Sequence, residues 1–157
     1  HQMTPRQKLA LKIGAGAAAL AVPLVMQWEG YVPWVHRDPI GRLAVCYGHD
    51  DQSLTPGKRY TAQQCQDMLA EDLAAHAQAL DCIKVPLTDG QKAAFVSFAF
   101  NVGQAKFCSS TLARRVNAGE LPGACAELLR WTYAGGRQLP GLVNRRAAER
   151  EMCERPA

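Results

Sequence analysis

Two carboxylates, Glu29 and Asp38, stand in E-x8-D spacing with Trp28, Tyr31, Trp34 and His36 around them. A carboxyl beside Trp28, at the end of an apolar run, is placed to keep a proton, because desolvation disfavours its charged form. A carboxyl next to Arg37 on a polar turn is placed to stay ionised. Two carboxyl groups in unlike surroundings can divide general-acid and general-base work, the chemistry that cleaves acetals. The aromatic residues suit a cleft for a sugar or another planar-faced ligand. An unrelated helix-end charge and turn cap would show the same spacing, so the pair needs further support.

The elements that must hold these groups follow from local signals. Pro39 and Gly41 mark a turn after Asp38, and Leu43 to Tyr47 reads as a short strand. Tyr31 to Gly57 is therefore expected to be a small sheet of two or three strands. Thr61 with Gln64 forms a capping box for a helix reaching Ile83, with Cys65, Leu69, Leu73, Ala77 and Leu80 at helical spacing. Its narrow apolar stripe suits a helix bridging two lobes. Thr88 with Gln91 caps a second helix, AAFVSFAFNVG, apolar nearly all round and so a core element. Short helices over Phe107–Gly119 and Pro122–Tyr133 follow, and Pro140 starts a last one after the Gly135-Gly136 break. The class expected is α+β.

The amino-terminal stretch reads in two ways. Thr4, Pro5 and Gln7 open a helix, and from Leu9 to Trp28 the only charged residue is Lys12. A helix of that length spans about 30 Å, the thickness of a bilayer core. Arg6, Lys8 and Lys12 on its amino-terminal side would leave the rest of the chain outside the cytoplasm. Yet the run is only weakly apolar, with Gly14, Gly16, Pro23 and many alanines. A marginal membrane anchor and an Ala-rich packing helix both fit.

At 157 residues the chain suits one compact domain, burying roughly 70% of its unfolded surface. Hydrophobic residues make up 48% and charged residues 20%, a balance that excludes disorder. The net charge of +4 is compatible with an anionic partner such as bacterial cell wall. No basic run interleaved with aromatics is present, so nucleic acid is not an expected partner. The six cysteines include no C-x2-C pair, which argues against zinc. Their even number suits disulfides in an oxidising compartment, with the pairing left open by the sequence.

The run Glu29-Gly30, then Asp38 with Gly41, then Val45 and Gly48-His49, resembles the catalytic segment of the phage-type lysozymes, glycoside hydrolase family 24. Two later blocks resemble the same family: Phe98–Gly103, and Arg130-Trp131 followed by a glycine turn and G-L-x-x-R-R-x-x-E. The resemblance implies a lysozyme-like fold, a small sheet lobe and a larger helical lobe joined by a long helix. It implies Glu29 and Asp38 as catalytic residues, cutting the β-1,4 link between N-acetylmuramic acid and N-acetylglucosamine with inversion, and no metal or cofactor. The family pattern continues as D-x5-T with a water-positioning Thr. Here that position is Ala44, which has no hydroxyl.

Other roles rest on the same likeness. Tyr47, Asn101, Arg137 and Arg145 are expected substrate contacts, Tyr47 beside the Ala44 gap and the arginines toward peptide carboxylates. A solvated helix face is the plainer reading of both arginines. His49 is expected to pair with Asp72 structurally. Overlay on the family fold implies the disulfides Cys46–Cys65, Cys82–Cys108 and Cys125–Cys153. Residues 1–28 resemble the signal-anchor-release segment of certain phage endolysins, with 29–157 as the catalytic domain. That implies a transient inner-membrane tether, then a monomer in the periplasm of a Gram-negative host, acting on peptidoglycan. All six cysteines follow the segment, so thiol exchange from within it is not the release trigger.

Three rivals remain at this stage. A lytic transglycosylase would use Glu29 alone and tolerate the loss at Ala44. A peptidoglycan-binding protein would keep the fold without turnover. A membrane-active agent would act through residues 4–28.

Overall fold

The computed structural model describes residues 2–157, so the first residue of the proposed 1–28 segment lies outside the described residues. Helices α1 (Pro5–Ile13) and α2 (Ala15–Trp28) come first, then strands β1 (Val32–Arg37), β2 (Leu43–Cys46) and β3 (His49–Asp50). Helices α3 (Ala62–His76), α4 (Asp89–Val102), α5 (Gln104–Cys108), α6 (Thr111–Asn117) and α7 (Leu121–Glu127) follow. A two-stranded hairpin, β4 (Tyr133–Ala134) and β5 (Arg137–Gln138), precedes α8 (Pro140–Glu154). Capping boxes start α1, α3 and α4: in each, the Thr hydroxyl accepts from the backbone three residues on, and the Gln there returns the bond.

The single apolar helix expected from Leu9 to Trp28 is two helices. Gly14 takes φ 91°, its N–H ends α1 on Ala10 O, and the two axes meet at 117°. Only glycine adopts that backbone without a steric penalty. No single described helix is long and apolar enough to cross a membrane, although the bent pair together meets those criteria. Both halves are part of the fold: Leu9, Ala17, Ala21, Val22 and Val25 are fully buried in the main core. Gly16 packs directly against Asp89 at the start of α4, where a β-carbon would collide with the carboxylate.

The main core also takes Leu69 and Leu73 from α3, Phe95 and Phe98 from α4, and Phe107, Leu112 and Leu128. Each side chain of this size stabilises the fold by roughly 1.5–3 kcal/mol relative to leaving it exposed. A second, smaller cluster comprises Val35, Leu43, Val45, Cys46 and Cys65. Helix α3 thus contributes to both clusters. The predicted helix to Ile83 tightens to a 3-10 turn over Ala77–Cys82.

The sheet has order β1-β2-β3, antiparallel, with His36 opposite Ala44 and Ala44 opposite Asp50. Alternation along β2 sends Leu43 and Val45 into the small cluster and Ala44 to the other face. A left-handed backbone at Cys46 (φ 64°) interrupts that alternation and turns its sulfur toward α3. The cysteines pair as Cys46–Cys65, Cys82–Cys108 and Cys125–Cys153, tying β2 to α3, the 3-10 turn to α5, and α7 to α8.

Candidate active site

Glu29 is the C-cap of α2, its N–H bonded to Val25 O at 3.0 Å. Its extended backbone there leads the chain from the helical lobe toward the sheet, and its side chain is a quarter exposed. One carboxylate oxygen accepts from Arg145 Nη1 at 2.5 Å, and the other faces Gly48 in the β2–β3 turn. The apolar surroundings expected from Trp28 are therefore replaced by a guanidinium, because α8 brings Arg145 under the carboxylate. Trp28 instead packs against the main core.

Asp38 follows β1 in a tight loop. Its Oδ1 accepts from the backbone N–H of Ile40 at 3.0 Å and of Arg42 at 2.9 Å. Its own N–H donates to Arg42 O at 2.8 Å. Arg37, expected to keep Asp38 ionised, instead donates to Gly41 O at 2.9 Å. Among the described residues the other Asp38 oxygen, Oδ2, has no hydrogen-bond partner. A carboxylate clamped by one oxygen, with the second free, can accept a proton from a substrate or water.

The predicted contact residues divide. Tyr47 stacks on Tyr31 with centroids 4.9 Å apart, and burial pushes its phenol up. Trp34 is exposed, with the Arg59 guanidinium 5.2 Å over its ring. His49 Nδ1 bonds the Asp72 carboxylate at 2.9 Å, fixing the β3 edge to α3. Asn101, exposed at the end of α4, accepts from Arg146 Nη2 at 2.6 Å. Arg137 is exposed on the β4–β5 hairpin. Ala44 is buried, belongs to neither hydrophobic cluster, and lies between His36 and Asp50.

Arg145 is neither a free substrate arginine nor part of a solvated helix face. It is 3% exposed, and besides Glu29 it donates to Glu149 Oε2 at 3.2 Å and to Ser97 O at 3.1 Å. Its charge is neutralised inside the protein, so it positions Glu29. Arg146, fully buried, lies 4.9 Å over the Phe98 ring with Nε 3.0 Å from Glu149 Oε1. Burial pushes its guanidinium down to about 10, opposed by Glu149. Glu149 is 0% exposed and also accepts from Ser97 Oγ at 2.6 Å. Burial raises its carboxyl against the pull of Arg146, Arg145 and Ser97. Sequence reasoning assigned no role to Ser97 or Glu149. The available signal was the lone Ser inside AAFVSFAF and an acid three and four residues after two arginines.

The Phage lysozyme family model matches residues 26–149, a span holding Glu29, Asp38, Arg145 and Glu149. A SAR-endolysin of Bacteriophage PS119 is 40% identical over 157 residues, covering 94% of this chain and 93% of that protein. The muramidase domain of SpmX from Asticaccaulis excentricus superposes with TM-score 0.79 at 34% identity, over 87% of this chain and 95% of that one. A P22 lysozyme mutant superposes with TM-score 0.77 at 29% identity, over 84% of this chain and 93% of that one. The chain belongs to the phage lysozyme family and is a glycoside hydrolase.

Proposed function

We propose that this enzyme is an endolysin that hydrolyses the β-1,4 bond between N-acetylmuramic acid and N-acetylglucosamine in peptidoglycan. The observation that carries the reading is the unlike anchoring of two carboxyl groups, one at the end of α2 and one just after β1. Glu29 is held from one side by a buried arginine and from the other by a glycine turn. Asp38 is clamped by backbone through one oxygen. In this reading Glu29 protonates the leaving oxygen, and Asp38 takes the proton of the attacking water through Oδ2. Inversion requires a separation of about 6.5–9.5 Å between the carboxyl groups, room for one water. Tyr47, Asn101 and Arg137 border the glycan, and Arg145 keeps Glu29 aimed.

The test is clearing of outer-membrane-permeabilised Gram-negative cells by the unaltered chain beside Glu29→Gln and Ala44→Thr. Lysis abolished in Glu29→Gln supports the enzyme reading. Lysis by none of the three refutes it. Ala44 favours a lytic transglycosylase as the second reading, because that reaction uses no attacking water. Reducing ends among the products identify hydrolysis, and 1,6-anhydro ends identify the transglycosylase. Clearing by Ala44→Thr alone would mean that the given chain binds peptidoglycan without turnover.

Before release, residues 4–28 would tether the chain to the inner membrane, and the enzyme would then act as a monomer in the periplasm of a Gram-negative host. The bent apolar pair α1–α2 and the SAR-endolysin relatives support this. Fractionation of expressing cells decides it: a shift from membrane to periplasm over time is expected, and a wholly cytoplasmic chain would refute it.

A further inference from the structure

We propose that His36 holds the hydrolytic water in place of the hydroxyl that position 44 lacks. The proposal rests on the hydrolase reading above.

Val35 is 3% exposed in the small cluster, so its neighbour His36 turns to the opposite face of β1. The register sets His36 opposite Ala44 and Ala44 opposite Asp50, making one row across all three strands on the face turned away from the small cluster. Directly opposed residues have β-carbons about 4.5–5.5 Å apart, so His36 and Ala44 are side-by-side neighbours on that face. The methyl leaves the space beside it without a polar group of its own.

Three other polar residues of this face, Arg42, Asp50 and Gln52, are occupied by one another. Arg42 binds Asp50 through Nε at 2.9 Å and Nη2 at 3.0 Å, and Gln52 donates to the same carboxylate at 2.8 Å. The Arg42–Asp50 pair is thus closed on itself. His36 is different. Its Nδ1 lies 3.1 Å from Trp34 O, and a carbonyl can only accept, so Nδ1 carries the proton. In the neutral ring Nε2 is then an acceptor, and among the described residues it has no partner.

Asp38, two residues further on, presents the other free acceptor, Oδ2. Asp38 lies just past β1, but its N–H on Arg42 O at 2.8 Å carries the pairing one step beyond Arg37 opposite Leu43. In extended chain, residues i and i+2 share a face, with α-carbons about 6.6 Å apart. A single water can donate one hydrogen to His36 Nε2 and the other to Asp38 Oδ2, leaving an oxygen lone pair for the anomeric carbon. In the reaction that oxygen bonds to the anomeric carbon as the glycosidic C–O bond breaks. Its proton passes to Asp38, and the Glu29 proton goes to the departing oxygen. His36 takes no proton in this step and only accepts a hydrogen bond, as a threonine hydroxyl can.

The experiment measures kcat and KM on isolated peptidoglycan for the unaltered chain, His36→Ala, His36→Gln, Ala44→Thr and the His36→Ala/Ala44→Thr pair, with Glu29→Gln as reference. Loss of the water contact is expected to lower kcat of His36→Ala about 100-fold with little change in KM. His36→Gln, whose amide oxygen can accept, retains part of the rate. Ala44→Thr in the His36→Ala background restores most of it, which also shows that the fold is intact. The proposal is overturned if His36→Ala keeps its kcat. It is equally overturned if the double variant melts like the parent and stays inactive. If the unaltered chain has no turnover, or Glu29→Gln keeps it, the hydrolase reading fails and this assignment falls with it.

Discussion

Replacing Glu149 by Gln removes one negative charge and almost no volume from the most enclosed part of the site. Glu149 is 0% exposed, and its partners Arg145 and Arg146 expose 4% and 0% of their side chains. Gln would still accept from Ser97, but its amide hydrogens would face guanidinium donors. Arg145 keeps Glu29 as a counter-ion, whereas Arg146 keeps only neutral partners, the oxygen of Asn101 and the ring face of Phe98. Breaking a buried ion pair by removing one partner costs about 3–5 kcal/mol, mostly from the stranded charge. For a chain of this size each kcal/mol lowers Tm by roughly 2–4 °C, so a drop of roughly 6–20 °C is expected. Thermal and urea unfolding at neutral pH, followed by circular dichroism with the disulfides intact, measures it. Adding Arg146→Met removes the stranded cation and should recover a large part of the loss. A Glu149→Gln change within about 1 kcal/mol of the parent would refute the argument. It would mean that the carboxyl is already neutral in the native protein, with burial outweighing both arginines.

Three further outcomes are expected. Asp72→Asn weakens the charge-assisted bond to His49 and should lower stability by about 1.5–3 kcal/mol in urea unfolding, leaving the helical lobe's circular dichroism unchanged. Arg42 holds the Asp50 carboxyl below its ordinary value through a side-chain hydrogen bond. The contribution of Asp50 is therefore present above its unfolded value and lost as pH falls through the lower folded one. Arg42→Ala should move the Asp50 titration upward by NMR, and an unmoved midpoint would show that the contact is absent in solution. Converting Cys46 and Cys65 to Ser opens a loop of separation 19 and should cost about 3 kcal/mol, separating the sheet from α3 before the helical core melts.

Spacing along the chain sufficed for everything local. Thr4, Thr61 and Thr88 with Gln three residues later marked real helix starts, since a capping box involves only one turn of backbone. Pro39-Ile40-Gly41 marked the turn after Asp38 for the same reason, and the three motif blocks pointed to the fold and family that the comparisons bear out. Gly14 was readable as a weak point in the apolar run. That it bends the run by 117° depended on α3 and α4 offering surface for both halves.

What the linear order could not hold is the company each charge keeps. Arg145 and Glu29 are 116 positions apart, and Glu149 and Ser97 are 52 apart. Nothing in the spacing of α8 says which of its faces is buried, because Arg, Arg and Glu read as solvent residues until their partners arrive. Cysteine pairing is undetermined for the same reason, since a disulfide forms wherever the fold brings two sulfurs together. The register that sets His36 beside Ala44 is likewise a property of strand pairing, where a slip of one residue would put each side chain on the opposite face. Residue types and short spacings determined the available chemistry; tertiary structure decided which of those groups meet.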